Sequence, residues 1–418
     1  AWFRMDQGVT VTGAGISQVD DLSGNARHLL DPGTTRPIYL PYSGTKYLYL
    51  PGASGNYAST PDSAANSITG DIDIRVRVAL DDWTPAATTM LVAKDGGGAQ
   101  RCFHLNIQAA GQLSFTYSND GTSIAGRVAT SSVATGVSDG AVKWVRSTYA
   151  SASGKVNFFL SDDGTTWSAL GTEQTITSGS IFDSATSPLE IGSFGSGAAL
   201  NAKGKIYRAI IKNGIDGTTV VDFNPADASD GATSFASSAT GETWTVNSSG
   251  ALPAQIVGRA AALFNGTSHY LKCDAFTLNQ PTCVLMVVKQ VSWTAGEYFF
   301  DGNSNTTGII IQAGTTPEIR INAGATAAGN TGLAVGSVGV AAATFNGASS
   351  SLKINRNAAT TGNAGTNNMG GFTLGARADG LIFFSHIQVY ETVIFPIAPS
   401  TAQLDRLVAG LMARHGVA

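Results

Sequence analysis

The chain has 418 residues, of which 43% are hydrophobic and only 13% charged, so it can bury a large core and does not read as a disordered segment. The formal net charge is −4, with no run of Lys or Arg. That balance removes nucleic acid from the expected partners, since displacing phosphate counterions takes concentrated positive charge. No apolar stretch reaches the length of about 18 residues that a spanning helix needs, so no membrane insertion is expected.

The opening Ala1-Trp2-Phe3-Arg4 has no basic segment followed by an apolar run, and no signal peptide is expected. Residues 71–78 then alternate with a period of two. Ile72, Ile74, Val76 and Val78 share one face and Asp71, Asp73, Arg75 and Arg77 the other, which predicts a half-buried strand with a solvated outer face. Further strands are predicted at 102–108, 112–117, 142–149, 155–160, 189–193 and 205–212. Turn formers separate them, among them Lys94-Asp95-Gly96-Gly97-Gly98, Asn119-Asp120-Gly121 and Asp162-Asp163-Gly164. Segment 222–258 is rich in Asp, Ala, Ser, Thr and Gly but carries Phe223, Phe235 and Trp244. It is too apolar for a free linker and is expected to pack across a domain junction.

The pattern restarts at 263–272, which echoes Lys46-Tyr47-Leu48-Tyr49-Leu50. Residues 282–291 are apolar on both faces and predict a central strand. Strands follow at 297–301, 308–313, 317–322, 338–345 and 350–355. Near the end of each half stands a matching pair, 189–193 before 204–211 and 372–376 before 381–390. This predicts one domain duplicated: 1–221 as the first β-sandwich, 222–258 as a connecting segment and 259–418 as the second. A helix closes the chain, with Ser400 or Thr401 as N-cap, Leu404, Leu407, Val408 and Leu411 as its apolar stripe and Gly416 as its stop.

The run Asp20-Asp21-Leu22-Ser23-Gly24-Asn25-Ala26-Arg27-His28-Leu29, the step Arg36-Pro37-Ile38-Tyr39 and Tyr47-Leu48 resemble concanavalin A-like, laminin-G-type (LamG) domains of bacteriophage structural proteins. In the second copy Leu263-Phe264-Asn265-Gly266 and His269-Tyr270-Leu271 carry the resemblance, with Asn265 where the family usually has Asp. The strand Ile387-Gln388-Val389-Tyr390-Glu391 and the tail Met412-Ala413-Arg414-His415-Gly416-Val417 are also similar. The resemblance spans nearly the whole chain as an order of elements. It implies an all-β protein of two tandem jelly-roll sandwiches with a short C-terminal helix. It further implies a non-enzymatic virion structural protein, a capsid decoration or tail component assembled in the host cytoplasm. Other virion proteins would be its partners, and it would form a homo-oligomer. The alternative reading is a carbohydrate-binding adhesin that takes host surface glycans, and a third is a glycan hydrolase. Residues 1–40 would either dock a partner or complete the first sandwich.

The search for chemistry returns no catalytic residue. Hydrolases on this fold aim paired carboxylates into a cleft as Glu-x-Asp-x-Glu, and none of Glu173, Glu190, Glu242, Glu297, Glu318 and Glu391 starts that pattern. His28, His104, His269, His386 and His415 are widely separated and read as structural. Ser161-Asp162-Asp163-Gly164-Thr165-Thr166-Trp167 resembles the aspartate box of sialidases and reads as a hairpin turn. No cofactor is expected; calcium, common in LamG relatives, would need six or more oxygens, and Asp301-Gly302-Asn303-Ser304-Asn305 is the nearest cluster. Trp2, Trp83, Trp144, Trp167, Trp244 and Trp293 are candidates for sugar stacking, with Trp83 and Trp293 near loops, against burial in the core. Cys102, Cys273 and Cys283 lack CxxC spacing and read as three buried free thiols. Sequons at Asn247, Asn265 and Asn305 carry no meaning without export.

Overall fold

The computed structural model describes residues 1–417 except 14, 34, 43, 251, 305, 306 and 328. Strands dominate it, and among the described residues Thr401–Arg414 is the one α-helix. The chain forms two units: a continuous one, Gly44–Gly258, and a discontinuous one made of Ala1–Ser43 and Arg259–Ala418.

In the continuous unit the predicted alternation holds. Ile72–Leu80 lies between Lys143–Ala150 and Lys203–Asn213 in antiparallel register. Ile72, Ile74, Val76 and Val78 are completely buried, each contributing roughly 1.5–3 kcal/mol to burial of apolar surface. These strands belong to a nine-stranded sheet. An eight-stranded sheet that includes Thr89–Asp95, Arg101–Ile107 and Leu113–Tyr117 supplies the other wall. Phe103, Leu105, Phe115 and Tyr117 from that wall meet the isoleucines and valines in one core. Phe223, Phe235 and Trp244 join the same core, with Trp244 edge-on to Phe223 at 4.9 Å.

The same strand order recurs in the two units. One sheet of the continuous unit runs through Lys155–Ser161, Lys143–Ala150, Ile72–Leu80, Lys203–Asn213, Tyr47–Pro51 and Gln255–Val257. The matching path in the discontinuous unit runs through Ser350–Ile354, Val338–Phe345, Thr282–Gln290, Ile387–Phe395, Ala261–Leu263 and Ile38–Leu40. Thr282–Gln290 is buried along its whole length, as expected for a strand apolar on both faces.

Two predicted boundaries differ from those of the structure. Residues 1–43 do not complete a first sandwich ending at 221; they belong to the discontinuous unit. Trp2–Arg4 pairs with Glu391–Val393, Ile38–Leu40 pairs with Ala261–Leu263, and Phe3 is buried against Phe372. Segment 222–258 is likewise no connector. Its Thr243–Asn247 and Gln255–Val257 are strands of the continuous unit, paired with Tyr57–Thr60 and Tyr47–Pro51. An open strand edge is filled by any segment with fitting register and apolar face, and sequence neighbourhood does not enter that choice.

Candidate functional site

The outer face of the nine-stranded sheet departs from its predicted solvated character. Asp73 is wholly buried. Its carboxylate accepts Arg75 Nε at 3.1 Å and Nη2 at 2.7 Å, and Arg146 Nε at 2.9 Å and Nη2 at 2.8 Å. The backbone N–H of Asp216 adds a fifth bond at 3.1 Å. The register places Arg146 directly opposite Arg75 on the neighbouring strand, so two guanidiniums converge on one acid. Two like charges side by side on a sheet repel, and Asp73 between them turns that into a clamp. Asp216 bonds both arginines from the Lys203–Asn213 to Thr218–Phe223 turn, reaching Arg146 at 2.8 Å. Partial burial pushes the Asp216 carboxyl up, but Arg146 and Arg75 outweigh it and hold it below the usual range.

Trp167 sits on this clamp. The guanidinium carbons of Arg75 and Arg146 each lie 5.5 Å from its ring, within the cation–π range. The aspartate-box-like turn delivers it. Asp163 Oδ1 accepts the backbone N–H groups of Thr165 and Thr166, both at 2.7 Å, and Ser161 Oγ at 2.9 Å. These donors hold its carboxyl far below the ordinary range. Gly164 at φ +78° closes the turn, where a Cβ would lie 2.7 Å from the Trp144 ring. The hairpin reading is right, and its aromatic packs on guanidiniums. The turn occurs twice: Ser118-Asn119-Asp120-Gly121-Thr122-Ser123 repeats the pattern, with Asp120 accepting Thr122 and Ser123 N–H at 2.8 Å each.

One strand further, Asp222 takes Arg208 in a two-pronged pair at 2.8 and 2.6 Å. Arg77 stands between Trp144 and Arg208 in the register, with its guanidinium carbon 5.2 Å from the Tyr207 ring. The face therefore carries half-buried rings, Phe159, Trp167 and Tyr207, set among fixed guanidiniums, with the Asp216 side chain 67% exposed beside them. Chemically it offers flat apolar surface for the C–H face of a ring and oriented donors and an acceptor for hydroxyl groups.

No protein-family model and no curated protein matches the chain. Solved structures do. A protein from Bacteroides ovatus described as carbohydrate binding is 13% identical over 50% of this chain and 59% of its own, with a TM-score of 0.34. The LG1-3 region of the laminin α2 chain is 11% identical over 85% of this chain and 63% of its own, at 0.33. Domains LG4-5 of the mouse laminin α1 chain are 14% identical over 86% and 91%, at 0.32. The chain thus spans under two thirds of the length of the first two. None of the three is a bacteriophage protein, and scores this low carry no argument about function.

The other candidates fall elsewhere. Trp83 and Trp244 are completely buried; Trp83 lies in the loop after Ile72–Leu80 as expected, but its ring is in the core and donates to the Ala141 carbonyl at 3.3 Å, which removes it as a stacking surface. Trp144 is nearly buried, Trp293 is half-buried, and Trp2 donates to Glu391 at 2.7 Å. Asp301 is buried and its two oxygens accept the N–H groups of Gly302 at 2.8 Å and Ala378 at 3.0 Å. Asn305 lies outside the described residues. Among the described residues no group of three or more His, Cys, Asp or Glu side chains is placed to hold a metal. The three cysteines are free and buried, and burial pushes each thiol up to about 11. His28 pairs with Asp20 at 3.1 Å, His104 with Asp95 at 3.2 Å, His386 with Ser292 at 2.9 Å and His415 with Glu391 at 2.8 Å, while His269 is buried.

One acid couple escaped the sequence. Glu190 and Asp95 come from adjacent strands of the eight-stranded sheet. Burial pushes the Glu190 carboxyl up, with Asp95 adding to it, against bonds from the N–H groups of Ser196 at 2.6 Å and Gly197 at 3.1 Å. Asp95 is bound by Gly97 N–H at 2.9 Å and by His104. Both acids brace loops. No spacing rule could have paired them, because 95 residues of chain separate positions on two strands that only pairing makes neighbours.

Proposed function

We propose that the chain is a non-catalytic glycan-binding protein of adhesin type, and that the outer face of the nine-stranded sheet in the continuous unit is its binding surface. The observation that carries this is Trp167, a half-buried ring seated 5.5 Å from two guanidiniums that Asp73 locks in place. A stacking platform with pre-set hydrogen-bonding groups loses little side-chain freedom when a sugar arrives. Arrays of glycans probed with the full chain test it, with Trp167→Ala as the control. Binding that falls by about tenfold or more in that variant, with unchanged thermal unfolding, is the expected result. Retained binding moves the site elsewhere, and release of reducing ends from any bound glycan removes the non-catalytic reading. Because the face supplies its own donors, a chelator is expected to leave binding unchanged.

A second reading, a structural component of a bacteriophage particle contacting other subunits, draws on a different feature. Leu381, Ile382 and Phe383 are 72%, 42% and 39% exposed, an apolar loop tip of the kind that marks protein contacts. Many copies in purified particles would support it; a monomer absent from particles would end it.

A further inference from the structure

The proposed binding face holds four guanidiniums, and three are accounted for. Arg75 and Arg146 are bound by Asp73 and Asp216, and Arg208 by Asp222. The fourth, Arg77, is half-buried on the central strand Ile72–Leu80. Among the described residues it forms no ion pair, and none of its N–H donors meets a protein acceptor. Its Nε is buried without a partner. Its guanidinium carbon lies 5.2 Å from the Tyr207 ring. Lys205, on the same strand as Tyr207, adds a second cation that has no carboxylate partner among the described residues, its Nζ 5.8 Å from the Tyr47 ring.

A charged donor held at a buried edge without an acceptor is costly unless something supplies one. The buried Nε is closed to solvent and ligand alike, whereas the terminal nitrogens of Arg77 stay accessible and are the donors an outside acceptor can meet. Its position argues for a ligand. Asp73, four residues away on the same strand, and Asp222, on the second strand over, are already bound by other arginines. The Tyr207 ring lies 5.2 Å from its guanidinium carbon and limits its freedom, and the guanidinium fork can bond two oxygens of a carboxylate or a sulfate. From the Lys143–Ala150 strand bearing Trp144 to the Lys203–Asn213 strand bearing Tyr207 is two strand spacings, roughly 10 Å, so one extended ligand can reach both the Trp167 and the Tyr207 sides.

We infer that the glycan taken by this face is anionic, carrying carboxylate or sulfate groups, and that Arg77 is the residue that binds the anion. This rests on the glycan-binding reading above and adds the charge of the ligand to it. Lys205 contributes attraction at longer range, and the Tyr207 ring flanks the sugar that bears the charge.

The test is calorimetric titration of the full chain with three probes of matched length: a neutral glucan oligosaccharide, an oligogalacturonate and a heparin oligosaccharide. The native chain is expected to prefer at least one acidic probe over the neutral one, with affinity falling as salt is raised. Arg77→Gln should reduce the acidic affinity roughly tenfold to hundredfold and the neutral affinity by much less, so that the acidic preference is lost. Arg77→Lys keeps the charge and serves if the Gln variant folds poorly; loss of the oligogalacturonate with retention of heparin in that variant assigns a carboxylate, and equal loss of both assigns a site that needs the planar fork for either anion. Equal affinity for neutral and acidic probes, or an acidic preference untouched by both substitutions, overturns the inference while leaving glycan binding standing. Silence with all three probes and across the glycan arrays removes both.

Discussion

At the scale of single residues, buried charge in this protein is placed where it ties strands and turns together. Asp73 does so on one sheet and Glu391 on another. Glu391 is almost wholly buried and accepts Trp2 Nε1 at 2.7 Å, Arg414 Nη1 at 2.6 Å and His415 Nε2 at 2.8 Å. One carboxylate thereby joins the first strand, the last strand and the helix terminus of the discontinuous unit. Burial pushes its carboxyl up, but the bonds from His415, Trp2 and Arg414 prevail and hold it below its ordinary value of 4.5. A depressed acid contributes stability that is complete above the unfolded-state value and vanishes as pH falls through the folded one. Thermal unfolding of the discontinuous unit is therefore expected to weaken progressively below about pH 4.5, and Glu391→Gln should flatten that dependence. A variant with the same acid slope as the native chain would show that other carboxylates dominate.

At the scale of elements, each piece is made by local rules and then put to a use the rules do not contain. The helix Thr401–Arg414 begins where its sequence says: Ser400 caps it, and Gln403 returns the bond in a capping box. Leu404, Val408 and Leu411 are buried as the stripe predicts, and Leu407 is half-buried. Gly410 breaks the rules, since glycine inside a helix costs about 1 kcal/mol relative to alanine. Open space surrounds the position a Cβ would take. Gly410→Ala is expected to stabilise the discontinuous unit by up to about 1 kcal/mol in urea unfolding; a loss of stability would contradict the open surroundings of this position. The last strand shows the opposite case. Of the segment 381–390 only the part from Ile387 is strand, in Ile387–Phe395, where the sequence places the late strand 387–391. Leu381 to Phe383 lie in an exposed loop, with Phe383 at φ +59° against Tyr298 at 5.0 Å. An apolar run alone does not state its register.

At the scale of the whole molecule, the chain's two ends share one unit. Deleting residues 1–43 removes partners from Ala261–Leu263 and Ile387–Phe395 and exposes Phe372, which Phe3 covers. Hydrogen exchange on the shortened chain should show lost protection in Ile387–Phe395 and unchanged protection in Ile72–Leu80; equal loss in both strands would contradict the two-unit division. Local patterns are enough to read the all-β class, both central strands, the free buried thiols and the closing helix, because alternation, helical spacing, capping and burial of small apolar groups act over a few neighbouring residues. Strand pairing acts between positions far apart in the chain. It alone decided that the N-terminal segment completes the C-terminal unit, that Asp73 is buried beneath two arginines, and that Arg77 is left over among them. Those outcomes depend on which side chains stand opposite one another across a sheet, and spacing along one strand carries no record of its neighbour.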